Sequence, residues 1–217
     1  MNCLNVAHAG FEGLKANSIE SVWAAAKMPF DVLEVDVRKD GRKLYLSHEF
    51  RGNSEECADL KDVLEWVLRE APEKKIGLDL KEPVFDETME LIREFNMGKN
   101  IIFSGSLFLK DLQKDRAGSC IFYNVENSLP EMESLSEVAK AATSYGADGL
   151  NMDYRMLNEK NIEEIKTFGI LAAVWTVDDK DDMERMLKAG ADSITTRYPL
   201  KLAELINAER DKSEICI

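Results

Sequence analysis

Val32-Leu33-Glu34-Val35-Asp36-Val37 is the stretch that most strongly restricts the fold. It is an apolar run of strand length, and its two carboxylates stand two residues apart, so both point to the same face of a strand. Parallel strands are usually covered on both faces, and an unpaired buried carboxylate is costly. The run therefore predicts an interior strand whose acidic face belongs to a site, with a solvent-facing polar stripe as the alternative.

Short apolar runs alternate with amphipathic segments along the whole chain. Strands that alternate with helices at this spacing predict βα units and a parallel sheet, and eight of each predict an α/β fold of the closed (β/α)8 TIM-barrel type. The predicted strands cover residues 4–7, 32–37, 76–80, 101–103, 120–123, 149–152, 171–174 and 193–195. The predicted helices cover residues 18–26, 60–69, 86–95, 107–115, 135–145, 159–168, 181–189 and 200–208.

Two local patterns support this interpretation. Tyr145-Gly146-Ala147-Asp148 and Ala189-Gly190-Ala191-Asp192 echo each other, and each predicts a helix that stops at glycine before the next strand. Asp40-Gly41 stands between two extended runs and predicts a tight hairpin turn, which places His48 on an excursion beyond the second strand. Because no Pro/Gly/Ser-rich linker interrupts the chain, residues 1–217 are predicted to form a single domain.

The composition bounds the partners and the compartment. The net charge of −13 argues against nucleic acid and against an anionic membrane surface, and an anionic substrate would need a local cation. No apolar stretch approaches the ~20 residues of a membrane span, so no integral membrane segment is predicted. Met1 is followed almost at once by a strand-like run, and the four cysteines are scattered. These features favour a cytoplasmic protein without signal peptide or disulfides.

The candidate site residues stand at the ends of the first three predicted barrel strands. His8 ends the first strand, Glu34 and Asp36 occupy the second, and Asp79 closes the third. Neighbouring parallel strands end at the same rim, so these groups can converge on one point. Three carboxylates favour a hard divalent ion such as Mg²⁺ or Ca²⁺, and nothing in the sequence indicates zinc. The only two histidines, His8 and His48, are suited to proton transfer near neutral pH.

Each of the remaining motifs has a structural alternative. Asp79 and Lys81 are equally interpretable as an ion pair inside the barrel mouth, and His48-Glu49 as an ordinary surface turn. Trp175 suits the barrel core, although a tryptophan at a strand end can also form the wall of a substrate pocket. These alternatives stay open at the level of the residues alone.

At these positions the sequence resembles the glycerophosphodiester phosphodiesterase family. That family carries H-R-G after the first strand, P-E-N-T, E-x-D-V on the second strand, D-G, H-D, E-I-K on the third strand and W-T-V-N late in the chain. In the same order, along nearly its full length, this chain reads His8-Ala9-Gly10, Ala16-Asn17-Ser18, Glu34-Val35-Asp36-Val37, Asp40-Gly41, His48-Glu49, Asp79-Leu80-Lys81, Trp175-Thr176-Val177-Asp178 and Ile194-Thr195-Thr196-Arg197-Tyr198-Pro199.

The resemblance implies a metal-dependent hydrolase that cleaves glycerophosphodiesters, or related lipid-derived phosphodiesters, into an alcohol and a phosphomonoester. It also implies that a substrate hydroxyl attacks first to give a cyclic phosphate, which water then opens. The cofactor would be Mg²⁺ or Ca²⁺ and the partner a small-molecule phosphodiester. The expected site residues are, for the metal, Glu34, Asp36 and Asp79, for catalysis, His8, His48 and Lys81, and, for substrate binding, Trp175 and Arg38.

Two departures from the family pattern concern the binding of phosphate. Ala9 replaces the family arginine that is expected to hold phosphate, and Ala16 replaces a glutamate near the metal. Phosphate must therefore rely on the ion, on Lys81, or on another cation such as Arg38 or Arg51. Substrate choice depends on these changes more than reaction type does.

The departures from the family pattern also open two alternatives. Asp79 replaces the third glutamate ligand of the family by a shorter acid that still coordinates. The resulting D-x-K motif also resembles the phospholipase D toxins of the sphingomyelinase D type, which would make the protein a lyase acting on lysophospholipids. The replacements at Ala9 and Ala16 open a second alternative, a barrel that binds a phosphate metabolite without turning it over.

Overall fold

Eight parallel strands close into a barrel in the computed structural model, which describes residues 3–51, 53–128 and 131–215. The barrel order is β1-β2-β4-β5-β6-β7-β8-β9, and β9 pairs back to β1. The remaining strand, β3, runs antiparallel to β2. The bounds are β1 (Leu4–Ala7), β2 (Val32–Asp40), β3 (Lys43–Leu46), β4 (Lys75–Leu80), β5 (Ile101–Gly105), β6 (Cys120–Asn124), β7 (Gly149–Asp153), β8 (Leu171–Trp175) and β9 (Ser193–Thr196).

Seven α-helices surround the barrel in the described part of the chain. Most begin at a serine, aspartate or asparagine whose side chain accepts a hydrogen bond from a backbone N–H of the first turn, as Ser18, Asp59 and Asp179 do. Within the described ranges, no helix combines the length and the apolar character needed to cross a membrane. The helices are α1 (Ile19–Ala25), α2 (Leu60–Glu70), α3 (Phe85–Glu94), α4 (Leu135–Tyr145), α5 (Glu159–Thr167), α6 (Lys180–Ala189) and α7 (Pro199–Ile215).

The apolar interior has two parts that together orient the acidic face of β2. The larger part packs the helices onto the outside of the strands. The smaller part joins side chains from five strands, Val6, Val32, Ile102, Phe122 and Ala173. Because alternate residues of a strand share one face, Glu34 and Asp36 point to the same side as Val32. The two acids therefore lie inside the barrel, above an apolar layer, and the interior strand predicted from this stretch is confirmed.

The predicted hairpin and the two predicted helix stops are also confirmed. β2 ends at Asp40, Gly41 adopts a φ of +59°, and β3 returns antiparallel. Gly146 and Gly190 end α4 and α6 with φ of +96° and +87°, a left-handed conformation that glycine adopts without steric cost. The aspartates two residues later, Asp148 and Asp192, accept backbone N–H bonds from β6 and β8 at 2.8 and 2.9 Å.

The helix predicted over residues 107–115 is the one element that the sequence analysis assigned wrongly. Leu109–Gln113 forms a five-residue 3₁₀ helix instead. Lys114 is already extended, and Asp115 accepts a hydrogen bond from the N–H of Ala117, which has a φ of +49°. The local turn chemistry of aspartate therefore ends the helix before an α-helical turn can propagate. The barrel keeps its eight parallel strands, but one connection has no α-helix.

We expect Gly105→Ala to destabilise the protein more than a glycine substitution made at an open position. Gly105 has a φ of +87°, and a Cβ there would lie 2.2 Å from Asp79 Oδ1 and 2.3 Å from Leu80 O. The variant combines left-handed strain with overpacking, which typically cost about 1–2 and about 1–3 kcal/mol. Urea unfolding of Gly105→Ala, of a control glycine variant and of the parent protein measures the difference in the free energy of unfolding.

Gly169→Ala is the matched control, because Gly169 has a φ of +77° with no atom within 4 Å of the added Cβ. It carries the backbone strain without the steric clash. Equal losses of unfolding free energy in the two variants would contradict the contact that the structure places between β5 and Asp79.

Candidate active site

A cavity of about 460 Å³ opens at the carboxyl ends of the barrel strands. Almost every barrel strand or the loop that follows it contributes to its wall, which is the usual position of sites in this architecture. The wall is mostly polar, with acids and a lysine on one side and amides on the other. The lining residues are His8, Glu34, His48, Asp79, Leu80, Lys81, Ser104, Gly105, Ser106, Asn124, Asn127, Asn151, Trp175, Thr176, Thr195 and Arg197.

Three carboxylates form the centre of the site. One oxygen from each of Glu34, Asp36 and Asp79 lies within 4.8 Å of the others. The sheet register explains this, since β2 and β4 are paired in parallel with Asp36 directly opposite Asp79. Burial, reinforced by the Asp36 and Asp79 carboxylates, raises the pKa of Glu34 well above its usual value. Burial also raises the pKa of Asp79, although Lys81 opposes it.

Backbone and amide donors fix two of the acids. The N–H of Ala9 donates to Glu34 Oε2 at 2.9 Å. Asn17 makes hydrogen bonds to both the side chain and the backbone of Asp36. Its Nδ2 donates to Asp36 Oδ2 at 2.7 Å, and its Oδ1 accepts the Asp36 N–H at 2.9 Å. Asn17 adopts a φ of +57°, a conformation that asparagine tolerates better than most residues. The first loop of the barrel therefore holds the acids of the second strand.

Lys81 connects the other two acids. Its Nζ lies 2.8 Å from Asp36 Oδ1 and 2.5 Å from Asp79 Oδ2. Burial alone would lower the pKa of Lys81, but the adjacent Asp79 and Asp36 carboxylates outweigh it and raise that pKa above its ordinary value. The structural ion pair considered above therefore exists, and it lies on the cavity wall.

The donor set fits a divalent cation. Two buried carboxylates and the partly buried Asp79 face a single ammonium group, so the cluster keeps an excess of negative charge in a place of poor solvation. Asp36 Oδ1 is buried and makes no hydrogen bond among the described residues, although the Lys81 ammonium is nearby. Oxygen ligands without sulfur or clustered imidazole are those preferred by Mg²⁺ and Ca²⁺. Glu34, Asp36 and Asp79 are thus the residues that could hold such an ion.

Both histidines line the cavity, but in different surroundings. His8 is partly buried at the end of β1, and its Nδ1 accepts a hydrogen bond from the N–H of Gly10 at 3.4 Å. Burial, and then the nearby Arg197, lower the pKa of His8. His48 is largely exposed in the loop after β3, where Nδ1 lies 2.9 Å from Glu49 Oε1. His8 is therefore a partly buried residue of the cavity wall, and His48 is an exposed residue at the cavity mouth.

The two expected substrate-binding residues have different positions. Trp175 lines the cavity at the end of β8, and its indole N–H is buried without a partner in the described ranges. Arg38 is absent from the described cavity wall. Its Nε and Nη2 instead donate to the backbone carbonyl of His48 at 3.0 and 2.9 Å. Arg38 thus holds the loop that presents His48, and its binding of substrate stays a prediction.

Several cavity residues did not emerge from the sequence as site residues. Asn124 and Asn151 lie opposite each other on β6 and β7, and Asn151 Nδ2 donates to Asn124 Oδ1 at 2.9 Å. Asn127 donates to the carbonyl of Gly105 at 2.7 Å. Isolated asparagines have no spacing signal, and only the closure of the barrel brings these amides to the cavity. Arg197, at the end of β9, could have been flagged as a charged residue at a strand end.

Comparison with known proteins is consistent with this geometry. Curated glycerophosphodiester phosphodiesterases from Bacillus subtilis and Caldanaerobacter subterraneus are 24% and 26% identical to this chain, covering 90% and 95% of it and 84% and 98% of their own lengths. A crystal structure of a glycerophosphodiester phosphodiesterase from Parabacteroides distasonis superimposes with a TM-score of 0.81 at 20% identity, over 96% of this chain and 98% of that chain.

A further solved structure is informative for its ligand. A phosphodiesterase from Oleispira antarctica, solved in complex with the product sn-glycerol-3-phosphate, matches with a TM-score of 0.74 at 17% identity, over 93% of this chain and 96% of that chain. At that identity the match shows the fold. Residues 42–201, well over half of the chain, match the model of the glycerophosphoryl diester phosphodiesterase family. The chain therefore belongs to the glycerophosphoryl diester phosphodiesterase family.

Proposed function

We propose that the protein hydrolyses glycerophosphodiesters to an alcohol and sn-glycerol 3-phosphate with the help of a divalent ion. The observation that carries this proposal is the convergence of three carboxylates, a lysine and two histidines on one cavity of a phosphodiesterase-family barrel. Hydrolysis of a phosphodiester needs charge stabilisation at phosphorus and two proton transfers. The cavity contains groups suited to each of these tasks.

Glu34, Asp36 and Asp79 would hold the ion, with Mg²⁺ and Ca²⁺ both compatible with their oxygen donors. When bound, such an ion supplies Lewis acidity toward a phosphoryl oxygen. Lys81, held between two of these acids, presents a permanent positive charge to the same region of the cavity. That charge opposes the negative charge that develops on phosphoryl oxygens in the transition state.

His8 and His48 would carry the protons. The lowered pKa of His8 keeps its imidazole neutral near pH 7, so it is able to accept a proton from the attacking hydroxyl group. His48, over the mouth of the cavity, would then donate a proton to the leaving alkoxide. If a cyclic phosphate forms first, as the family resemblance implies, the two histidines exchange roles when water opens the ring. Each complete hydrolysis thus leaves both histidines in their starting states.

The two alternatives predict different products. A phospholipase D-like lyase of the sphingomyelinase D type would release the head-group alcohol from a lysophospholipid and leave a cyclic phosphate. A non-catalytic binding barrel would bind phosphate metabolites without any product. The full set of two histidines, three acids and a lysine around one cavity favours turnover.

Location and domain organisation also stay predictions. We propose a cytoplasmic location, supported by three cysteines, Cys3, Cys57 and Cys120, that are free thiols in the structure. The assignment of residues 1–217 to a single domain likewise rests on the sequence.

A product assay tests the proposed function. We expect the protein to release sn-glycerol 3-phosphate from glycerophosphocholine and glycerophosphoethanolamine in the presence of Mg²⁺ or Ca²⁺, and to lose this activity in chelator. Phosphorus NMR distinguishes the monoester from a cyclic product. Unchanged turnover after chelation would contradict the metal dependence, and a stable cyclic product from lysophospholipids would favour the lyase.

We expect Glu34→Gln to stabilise the metal-free protein at neutral pH. Because burial raises the pKa of Glu34, the folded state keeps its proton to higher pH than the unfolded chain does. The contribution of Glu34 to the free energy of unfolding is fully present below the pKa of a glutamate in an unfolded chain, about 4.3. It is lost as the pH rises toward the pKa of Glu34 in the folded protein. Glutamine removes this loss and can still accept the Ala9 N–H. Each kcal/mol gained should raise the melting temperature by about 2–4 °C.

Melting temperatures in chelator between pH 4 and pH 8 measure this effect, with Glu65→Gln, an exposed acid on α2, as the control. Addition of Mg²⁺ or Ca²⁺ should raise the melting temperature of the parent protein and of the control, and should raise that of Glu34→Gln much less. A Glu34→Gln variant that melts at a lower temperature than its parent in chelator at pH 7 would show that the buried Glu34 carboxylate does not destabilise the metal-free protein.

We expect His8→Ala and His48→Ala each to lower kcat by about 10²–10⁴-fold, the usual contribution of a positioned proton-transfer group. The double variant His8→Ala/His48→Ala should lose far less than the product of the two, because the groups act as a unit. Steady-state kinetics with circular dichroism as a folding control checks this. Near-normal turnover in His48→Ala would assign this exposed side chain to the surface-turn interpretation.

A further inference from the structure

Two permanent cations line the cavity among the described residues, and they differ in how much of their charge is already neutralised. Lys81 lies between Asp36 and Asp79. If these acids bind an ion, Lys81 remains part of that cluster. Arg197, at the carboxyl end of β9, is ion-paired with Asp178 alone, and 51% of its side chain is exposed. Arg197 is therefore the cation whose charge and N–H groups are more available to a ligand.

Asp178 fixes the base of Arg197 without occupying the whole guanidinium group. Asp178 Oδ1 accepts the backbone N–H of Arg197 at 2.8 Å, and Asp178 Oδ2 lies 2.5 Å from Nη1. Thr196 Oγ1 also donates to Asp178 Oδ1 at 3.3 Å. In the described ranges, Arg197 Nε and Nη2 have no protein acceptor. A guanidinium anchored on one side and free on the other is suited to a tetrahedral oxyanion, which it can bind through two parallel N–H bonds.

Arg197 also lies beside the loop between β1 and α1, which carries His8. The carbonyl of Thr196 accepts the N–H of His8 at 2.9 Å, and Ala7 pairs with Thr196, so Arg197 follows in register opposite His8. Ala9 itself is fully buried and uses its N–H to hold Glu34. In the described cavity wall, the loop after β1 thus contributes His8 and no lysine or arginine, while the neighbouring end of β9 contributes Arg197.

The other cations considered from the sequence are less suitable. Arg38 donates to the carbonyl of His48, and neither Arg38 nor Arg51 belongs to the described cavity wall. The chain has a net charge of −13, so an anionic substrate depends on local positive charge to enter the site. Arg197 meets this requirement at the cavity itself.

We propose that Arg197, held by Asp178, binds the non-bridging phosphoryl oxygens of the substrate and replaces the cation that Ala9 does not provide. This inference rests on the proposed phosphodiesterase function. Two departures from the family motifs then concern the same cation: Ala9 stands in place of an arginine, and Asp178, which anchors Arg197, stands in place of the asparagine after Trp175-Thr176-Val177. The role is substrate binding, so it should appear in affinity more than in the rate of the bound complex.

The test compares Arg197→Gln with Arg155→Gln. Arg155 is the matched control because it is also ion-paired with a nearby aspartate, Asp153 at the end of β7, but does not line the described cavity. We expect Arg197→Gln to raise KM for glycerophosphocholine, and the Kd of sn-glycerol 3-phosphate measured by calorimetry, by about tenfold or more. Arg155→Gln should change neither by more than about twofold.

Arg197→Lys and Asp178→Asn separate binding from folding. Lysine keeps the charge without the planar fork, so Arg197→Lys should fall between the parent and Arg197→Gln in both constants. Asp178→Asn loosens the anchor and should weaken binding less than Arg197→Gln does. A lower melting temperature of Arg197→Gln with unchanged KM and Kd would overturn the inference and leave Arg197 as a clamp of the strand end.

The two proposals fail in different ways. If the parent protein turns over diesters and Arg197→Gln keeps its KM and Kd, the role of Arg197 is wrong and the proposed function stands. If the parent protein binds sn-glycerol 3-phosphate, loses this binding in Arg197→Gln, and hydrolyses no diester, the proposed function is wrong and the phosphate site at Arg197 stands.

Discussion

The repulsion among Glu34, Asp36 and Asp79 is the constraint on which the site depends. The parallel register of β2 and β4 brings one oxygen of each acid within 4.8 Å of the others above an apolar layer, where solvent screens their charges poorly. Lys81 compensates part of the charge, and the donors Ala9 N–H and Asn17 fix the oxygens. The rest of the cavity is arranged around this cluster, whose oxygen donors fit a divalent cation.

This arrangement explains why the first loop of the barrel matters as much as the strands. The loop between β1 and α1 supplies the N–H of Ala9 to Glu34 and the amide of Asn17 to Asp36, and it carries His8. Its own position depends on the carbonyl of Thr196, at the end of β9. Closing the barrel between β1 and β9 therefore also aligns His8, the proposed proton-transfer group, with the acid cluster.

The sequence predicted the barrel well because its signals are local. Apolar runs, N-cap residues and the glycines at positions 146 and 190 each act within a few residues, and the strands follow them closely. The prediction of a helix over residues 107–115 was wrong because two local signals compete there. The apolar spacing favours a helix, but Asp115 and Ala117 form a turn. Helical periodicity was the weaker local signal there.

The candidate site was predictable only where residues stand in motifs. The spacing of Glu34 and Asp36, two residues apart on a strand, is enough to predict that both lie on the same face. Asn124 and Asn151 come from different strands, and only the register of the sheet brings them together. Arg38 shows the opposite case: it stands close to His48 in the chain, but its guanidinium donates to the carbonyl of His48, and Arg38 is absent from the described cavity wall. Charge indicates that an arginine can bind phosphate, but which arginine does so depends on which one already has an acceptor. In this barrel Arg38 is held by a backbone carbonyl, and Arg197 keeps two of its nitrogens free of any described protein acceptor.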